Sequence, residues 1–161
     1  MIYFDLDGAI RDLAKGVLGY TPSSWDEEID GKGLIELVNE NLELLLTSPP
    51  AEYYLTVREL FPHPHIVTLQ AEDWKEPTLR WLHSHFDGCV VHFVEEFGDK
   101  ADIVGTDLIV EDYPFFDKEF YRQVILTRYP YNENVKEEDC YAVVNSPEEL
   151  REVLINERKR S

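Results

Sequence analysis

A series of short apolar runs, each nearly free of polar alternation, limits this chain more than any other feature. Residues 2–6, 42–46, 65–69, 89–94, 108–110, 124–127 and 141–144 are runs of this kind. A strand with one face in water alternates apolar and polar residues, whereas a strand covered on both faces does not. Amphipathic stretches lie between the runs. Residues 52–61 place Tyr54, Val57, Leu60 and Phe61 on one helical face, and residues 76–86 do the same with Leu79, Leu82 and Phe86. Residues 33–40 read as a helix leading into the run at 42–46. Ser146 followed by Pro147-Glu148-Glu149 is an N-cap with a first-turn proline and acids, and Leu150, Val153 and Leu154 then recur at helical spacing. Strand–helix alternation of this kind predicts an α/β fold, a doubly wound, Rossmann-like, mostly parallel sheet with helices on both faces. A length of 161 residues fits a single domain, 1–161, with a real core.

In such a sheet, ligands bind beyond the carboxyl ends of the strands, so the polar residues that follow each run are the candidates for chemistry. Asp5 and Asp7 follow the first run, Thr47 and Ser48 the second, and Glu111 and Asp112 the run at 108–110; Lys100 lies in the loop before that run. Residues two apart in a strand point the same way, so a turn at Gly8 would leave both Asp5 and Asp7 above the sheet. Together with Glu111 and Asp112 they make an oxygen-rich site suited to a hard cation such as Mg²⁺. Asp5 could then accept a phosphoryl group as an aspartyl-phosphate, and Asp7 could serve as acid and base. Thr47, Ser48 and Lys100 would hold the phosphate oxygens. Taken singly, each has an ordinary reading: Asp7-Gly8 a turn, Thr47-Ser48-Pro49-Pro50 a helix-capping loop, Glu111-Asp112 a solvated loop, Lys100 a surface lysine. Taken jointly, they recur in the order and context that phosphoryl transfer needs.

These residues resemble the motifs of the haloacid dehalogenase-like superfamily of hydrolases. Asp5-Leu6-Asp7-Gly8-Ala9-Ile10 is similar to its first motif, with Ala9 in place of a more usual Thr or Val, Leu44-Leu45-Leu46-Thr47-Ser48 to its second, Lys100 to its third and Asp107-Leu108-Ile109-Val110-Glu111-Asp112 to its fourth. The resemblance implies a Mg²⁺-dependent phosphomonoesterase with Asp5 as nucleophile and Asp7 as acid/base. Thr47, Ser48 and Lys100 would bind phosphate. Asp5, Asp7 and Asp112 would be metal ligands, with Glu111 and Asp107 as further candidates. Finer features resemble the 5'(3')-deoxyribonucleotidases: Asp12 closing the first motif, Leu79-Arg80-Trp81-Leu82, and Val124–Thr127 leading into Arg128-Tyr129-Pro130-Tyr131-Asn132. That implies a nucleoside monophosphate as substrate; another phosphorylated metabolite, a larger substrate admitted by an open site, or a non-catalytic scaffold of the same fold are the alternatives.

Two departures stand out. Residues 13–33 leave room only for a reduced or absent cap, in which Tyr20 and Trp25 are candidates for a minimal aromatic lid or for packing over a loop; a second subunit, in a homodimer, is another candidate cover. Tyr113-Pro114-Phe115-Phe116 follows the acidic motif where an Arg-Pro pair is more usual.

Charge and composition narrow the partners. A formal charge of −18, from 33 acidic and 15 basic residues, argues against binding a nucleic-acid duplex or an anionic membrane surface, both of which need Lys and Arg. A bound divalent cation would still admit a small phosphate ester. Cys89 and Cys140 lie in apolar runs without metal-ligand spacing and read as small buried hydrophobes. His63, His65, His83 and His85 read as surface residues, and His92 as a core residue. Met1-Ile2-Tyr3-Phe4-Asp5 shows no basic n-region or cleavage site, so a cytoplasmic location is the expectation.

Overall fold

The computed structural model describes residues 1–161. Six strands form one all-parallel sheet: β1 (Ile2–Phe4), β2 (His65–Leu69), β3 (Val90–Val94), β4 (Leu108–Glu111), β5 (Val124–Thr127) and β6 (Ala142–Val144). Their order is β3-β2-β1-β4-β5-β6, so the chain reverses its direction of travel across the sheet between β1 and β4. That is the topological switch point, where a doubly wound sheet opens a crevice at its carboxyl edge.

The near-continuous apolar runs have their cause in two separate cores. Neighbouring residues of one strand point to opposite faces. Ile66, Val110 and Ile125 join Phe4, Trp81, Leu82, Leu150 and Leu154 in the larger core. Their neighbours Val67, Ile109, Val124 and Leu126 join Val104, Phe120 and Tyr121 in the other. The larger core is covered by helices α4 (Tyr54–Leu60), α5 (Lys75–His85) and α8 (Pro147–Arg160); the second is covered by α6 (Asp99–Val104) and α7 (Lys118–Tyr121). Both faces of the central strands are therefore dry. At the β3 edge burial is looser: Val90 is exposed and His92 only half-buried, so His92 is not the core residue expected of it. Cys89 and Cys140 are free and half-buried rather than fully enclosed.

One expected strand is a helix. Residues 42–46 lead into α3 (Leu44–Thr47), not into the sheet; β2 occupies the place beside β1. The run consists of Leu and Glu, good helix formers, with no β-branched or aromatic residue. Leu42 and Leu45, three apart, pack with Leu13, Val38 and Trp74 in a third small core. Those partners come partly from α1 (Leu13–Leu18) and α2 (Leu34–Glu40). Residues 13–33 thus comprise α1 and a long loop, with the antiparallel bridge Ile29–Lys32 near its end. Elsewhere the local signals match: Ser146 Oγ accepts from the Glu149 N–H at the start of α8. No helix is long and apolar enough to cross a membrane.

Candidate active site

The chain leaves β1 through a tight turn that depends on Gly8. Leu6 C=O accepts from both the Ile10 and Arg11 N–H groups, and Gly8 N–H donates to the Arg11 carbonyl. Gly8 has φ +91°, a conformation that costs an L side chain strain. A Cβ there would also lie 1.9 Å from Asp112 Oδ2. Glycine is therefore what lets the carboxylate beyond β4 close over the turn beyond β1.

Asp5, Glu111 and Asp112 meet at this point. They are buried, and each offers an oxygen within 4.8 Å of the others. Lys100, near the start of α6 and 1% exposed, donates to Asp5 Oδ1 at 2.8 Å and to Glu111 Oε2 at 2.7 Å. Glu111 Oε1 accepts from the Asp112 and Tyr113 N–H groups at 3.0 and 3.1 Å, so this side chain both anchors Lys100 and shapes the exit from β4. The Tyr131 hydroxyl donates to Asp112 Oδ2, and Asn132 Nδ2 donates to the Asp112 carbonyl. Both come from the 3₁₀ turn Pro130–Asn132 after β5. Phe97 and Tyr113 stack with ring centroids 3.7 Å apart and roof the lysine; Lys100 Nζ lies 5.7 Å from the Phe97 centroid.

The electrostatics of this cluster are unbalanced. Three carboxylates face one ammonium, a net of two negative charges in a dry place if all are ionised. Burial, reinforced by Glu111, pushes the Asp5 carboxyl well above the usual range against the opposing pull of Lys100. Burial, then Glu111 and Asp5, push Asp112 up in the same way. For Lys100 burial pulls downward, but Asp5 and Glu111 together outweigh it and hold the ammonium above its ordinary value. A site that favours protonation of two acids, offers only oxygen donors and has no histidine fits a hard divalent cation such as Mg²⁺. Asp5 and Asp112, with Glu111 beside them, would hold it.

Asp7 is organised separately. Arg11, fully buried, donates through Nε to Asp7 Oδ1 at 2.6 Å and through Nη2 to Oδ2 at 3.0 Å. Gln70 Nε2 adds a third bond to Oδ2 at 3.0 Å. The same Arg11 donates to the Leu45 carbonyl and to Thr78 Oγ1, and Thr78 Oγ1 donates to Gln70 Oε1. Asp7 is thus fixed beside the acid cluster, but its carboxylate lies outside the group that could hold a cation.

Several expected residues lie elsewhere. Thr47 is exposed and its hydroxyl donates to the Glu43 carbonyl; Ser48 Oγ donates to the Leu44 carbonyl and packs against Gly16. Both belong to the end of α3 rather than a strand end, and neither joins the acid cluster as a phosphate ligand. The polar residue that does follow the strand beside β1 is Gln70. Asp107 precedes β4, at the opposite end of the sheet, and pairs with the Met1 ammonium at 2.6 Å, so it is no metal ligand. Trp25 reaches the site, edge-on to Tyr113 at 5.2 Å and Tyr131 at 5.5 Å. Tyr20 does not; its hydroxyl pairs with Glu27. Arg11, Gln70 and Tyr131 are the residues that sequence reasoning missed. Gln70 was within reach of the rule that reads polar residues after each apolar run. Arg11 and Tyr131 depend on contacts between distant segments.

Beside the cluster opens a cavity of about 400 Å³, bounded by Gly8, Leu13, Leu34, Trp25, Asp112 and Tyr131. Asp112 is common to the cavity and the acid cluster. Comparison with protein-family models, with curated proteins and with solved structures finds no match to this chain.

Proposed function

We propose that the protein hydrolyses phosphomonoesters, with Asp5 as the nucleophile. The observation that carries the reading is the convergence, at the switch point, of three buried carboxylates, two of them, Asp5 and Glu111, paired with one buried lysine. A Mg²⁺ ion held by Asp5 and Asp112 would offset charge on the phosphoryl oxygens and on the acids themselves. Lys100 ties down Asp5 Oδ1 and leaves the second oxygen free of any hydrogen bond within the protein. That oxygen attacks phosphorus, the P–O bond to the alcohol breaks, and an aspartyl-phosphate forms. The departing alkoxide takes a proton from Asp7. Water then attacks the same phosphorus and returns its proton to Asp7, and the bond to Asp5 breaks to release inorganic phosphate. Asp7 stands beside Asp5 for this work, yet it accepts three hydrogen bonds from Arg11 and Gln70. Delivering a proton requires it to turn one oxygen away from them.

The narrower assignment to a nucleoside monophosphate rests on the sequence resemblance, and on Trp25 at the cavity wall as a surface on which a base could stack. The test of the broader reading is p-nitrophenyl phosphate hydrolysis by the purified chain. Turnover should require Mg²⁺, cease with a chelator and return on repletion. No hydrolysis of this ester or of a nucleotide and sugar-phosphate panel would overturn it.

A further inference from the structure

Lys100 engages one oxygen each of Asp5 and Glu111, and the Asp112 and Tyr113 N–H groups take the other oxygen of Glu111. Asp112 is the acid of the cluster that Lys100 does not reach, and a different segment restrains it. Its Oδ2 accepts from the Tyr131 hydroxyl and lies against Gly8, in the space that a Cβ would fill. Its Oδ1 has no partner within the protein.

The turn after β5 fixes Tyr131 for this contact. Asn132 Nδ2 donates to the Asp112 and Thr127 carbonyls, each at 2.9 Å. The Tyr129 ring stacks on that of Tyr131 with centroids 5.2 Å apart, and the Tyr129 hydroxyl donates to the Gly8 carbonyl at 2.8 Å. Tyr129, Tyr131 and Asn132 therefore grip both Asp112 and the glycine it rests on. A hydroxyl bonded to a carboxylate is among the stronger neutral donors, so Oδ2 is not readily given up to another partner.

Resting on the reading of this cluster as a Mg²⁺ site, we propose that Tyr131 is a specificity-determining residue for the cation. By holding Asp112 Oδ2 it limits Asp112 to one coordinating oxygen, and so favours Mg²⁺ over Ca²⁺. Ca²⁺ gathers more oxygens than Mg²⁺ and readily takes both from one carboxylate. Mg²⁺ is smaller, sheds water reluctantly and completes its shell with water and phosphate oxygens. Withholding one oxygen of Asp112 therefore removes a ligand from Ca²⁺ and costs Mg²⁺ little. Unrestrained carboxylates would favour the ion that sheds water more easily, which is Ca²⁺.

The test is calorimetric titration of the purified protein with MgCl₂ and with CaCl₂ at fixed ionic strength. The wild type should bind Mg²⁺ more tightly than Ca²⁺. Tyr131→Phe keeps the ring and its stacking but frees Asp112 Oδ2, and should shift the affinity ratio toward Ca²⁺ by about tenfold. Tyr121→Phe is the control for a general loosening of the chain beyond β4. It removes a hydroxyl bonded to the Tyr113 carbonyl at 2.7 Å and should keep the wild-type ratio. A wild type that prefers Ca²⁺ overturns the inference without any variant. An unchanged ratio in Tyr131→Phe, or an equal shift in Tyr121→Phe, overturns it while leaving hydrolysis standing. A ratio that shifts in Tyr131→Phe alone, in a protein that hydrolyses no ester, upholds the role of Tyr131 and overturns the phosphatase reading.

Discussion

Lys100→Met removes the one positive charge among three buried carboxylates while keeping most of the side chain's volume. In the wild type the ammonium makes two bonds, at 2.8 and 2.7 Å, to Asp5 and Glu111, and is 1% exposed. Removing one member of a buried ion pair leaves a charge without compensation and costs roughly 3–5 kcal/mol. The two bonds share one ammonium, so their losses do not simply add. For a chain of this length each kcal/mol shifts Tm by about 2–4 °C, so the midpoint should fall by roughly 6–20 °C in metal-free buffer at neutral pH. Two further responses identify the cause as charge rather than packing. The loss should shrink in mild acid, where the carboxyls left behind can take up a proton. Mg²⁺ should also stabilise the variant by more than it stabilises the wild type, because it replaces the missing charge. Thermal and urea denaturation with and without Mg²⁺ measure all three. A cost below about 1 kcal/mol, unaltered by pH and by Mg²⁺, would refute the reasoning.

Gly8→Ala should cost about 1–3 kcal/mol from the left-handed backbone alone and, by pushing Asp112 aside, weaken Mg²⁺ binding; a calorimetric Mg²⁺ affinity equal to the wild type's would remove Gly8 from the site's construction. Stability of the metal-free protein should fall as pH rises through the raised values of Asp5 and Asp112. Between their unfolded and folded values the native state binds more protons than the unfolded chain, so deprotonation favours unfolding; Tm rising over that window would contradict the burial of these acids. Arg11→Met should destabilise by about 3–5 kcal/mol, since it strands Asp7 and frees the Leu45 carbonyl; a loss within ordinary surface range in urea denaturation would count against the network.

The fold was legible where both faces of a strand are covered. The run at 65–69 coincides with β2 and that at 124–127 with β5, because Ile66 and Ile125 feed one core while Val67, Val124 and Leu126 feed the other. The run at 42–46 carried the same apolar signal but belongs to a helix, and Thr47 and Ser48 went with it. Leucine runs lack the β-branched residues that separate strand from helix, and only the pairing of β1 with β2 resolves the difference. Asp5, Lys100, Glu111 and Asp112 could be named because each follows or precedes a recognisable run, and the structure brings them together. Arg11 could not, because composition places arginine at the surface, while here Leu45, Thr78 and Asp7 enclose it from three separate segments. Tyr131 reaches Asp112 across 19 residues of chain, a contact without a local pattern. Trp25 and Tyr20 looked alike as lid candidates; the loop's own path, which gives Tyr20 to Glu27 and Trp25 to the site, separates them.

The most direct measurement is to trap the covalent intermediate. The chain is mixed with Mg²⁺ and a rapidly hydrolysed phosphomonoester, quenched in acid, reduced with borohydride and mapped by mass spectrometry. An acyl-phosphate on Asp5 is reduced to homoserine at position 5, and this should require both Mg²⁺ and substrate and be absent from Asp5→Asn. Turnover that proceeds with position 5 unmodified, or with the mark on another acid, would contradict it.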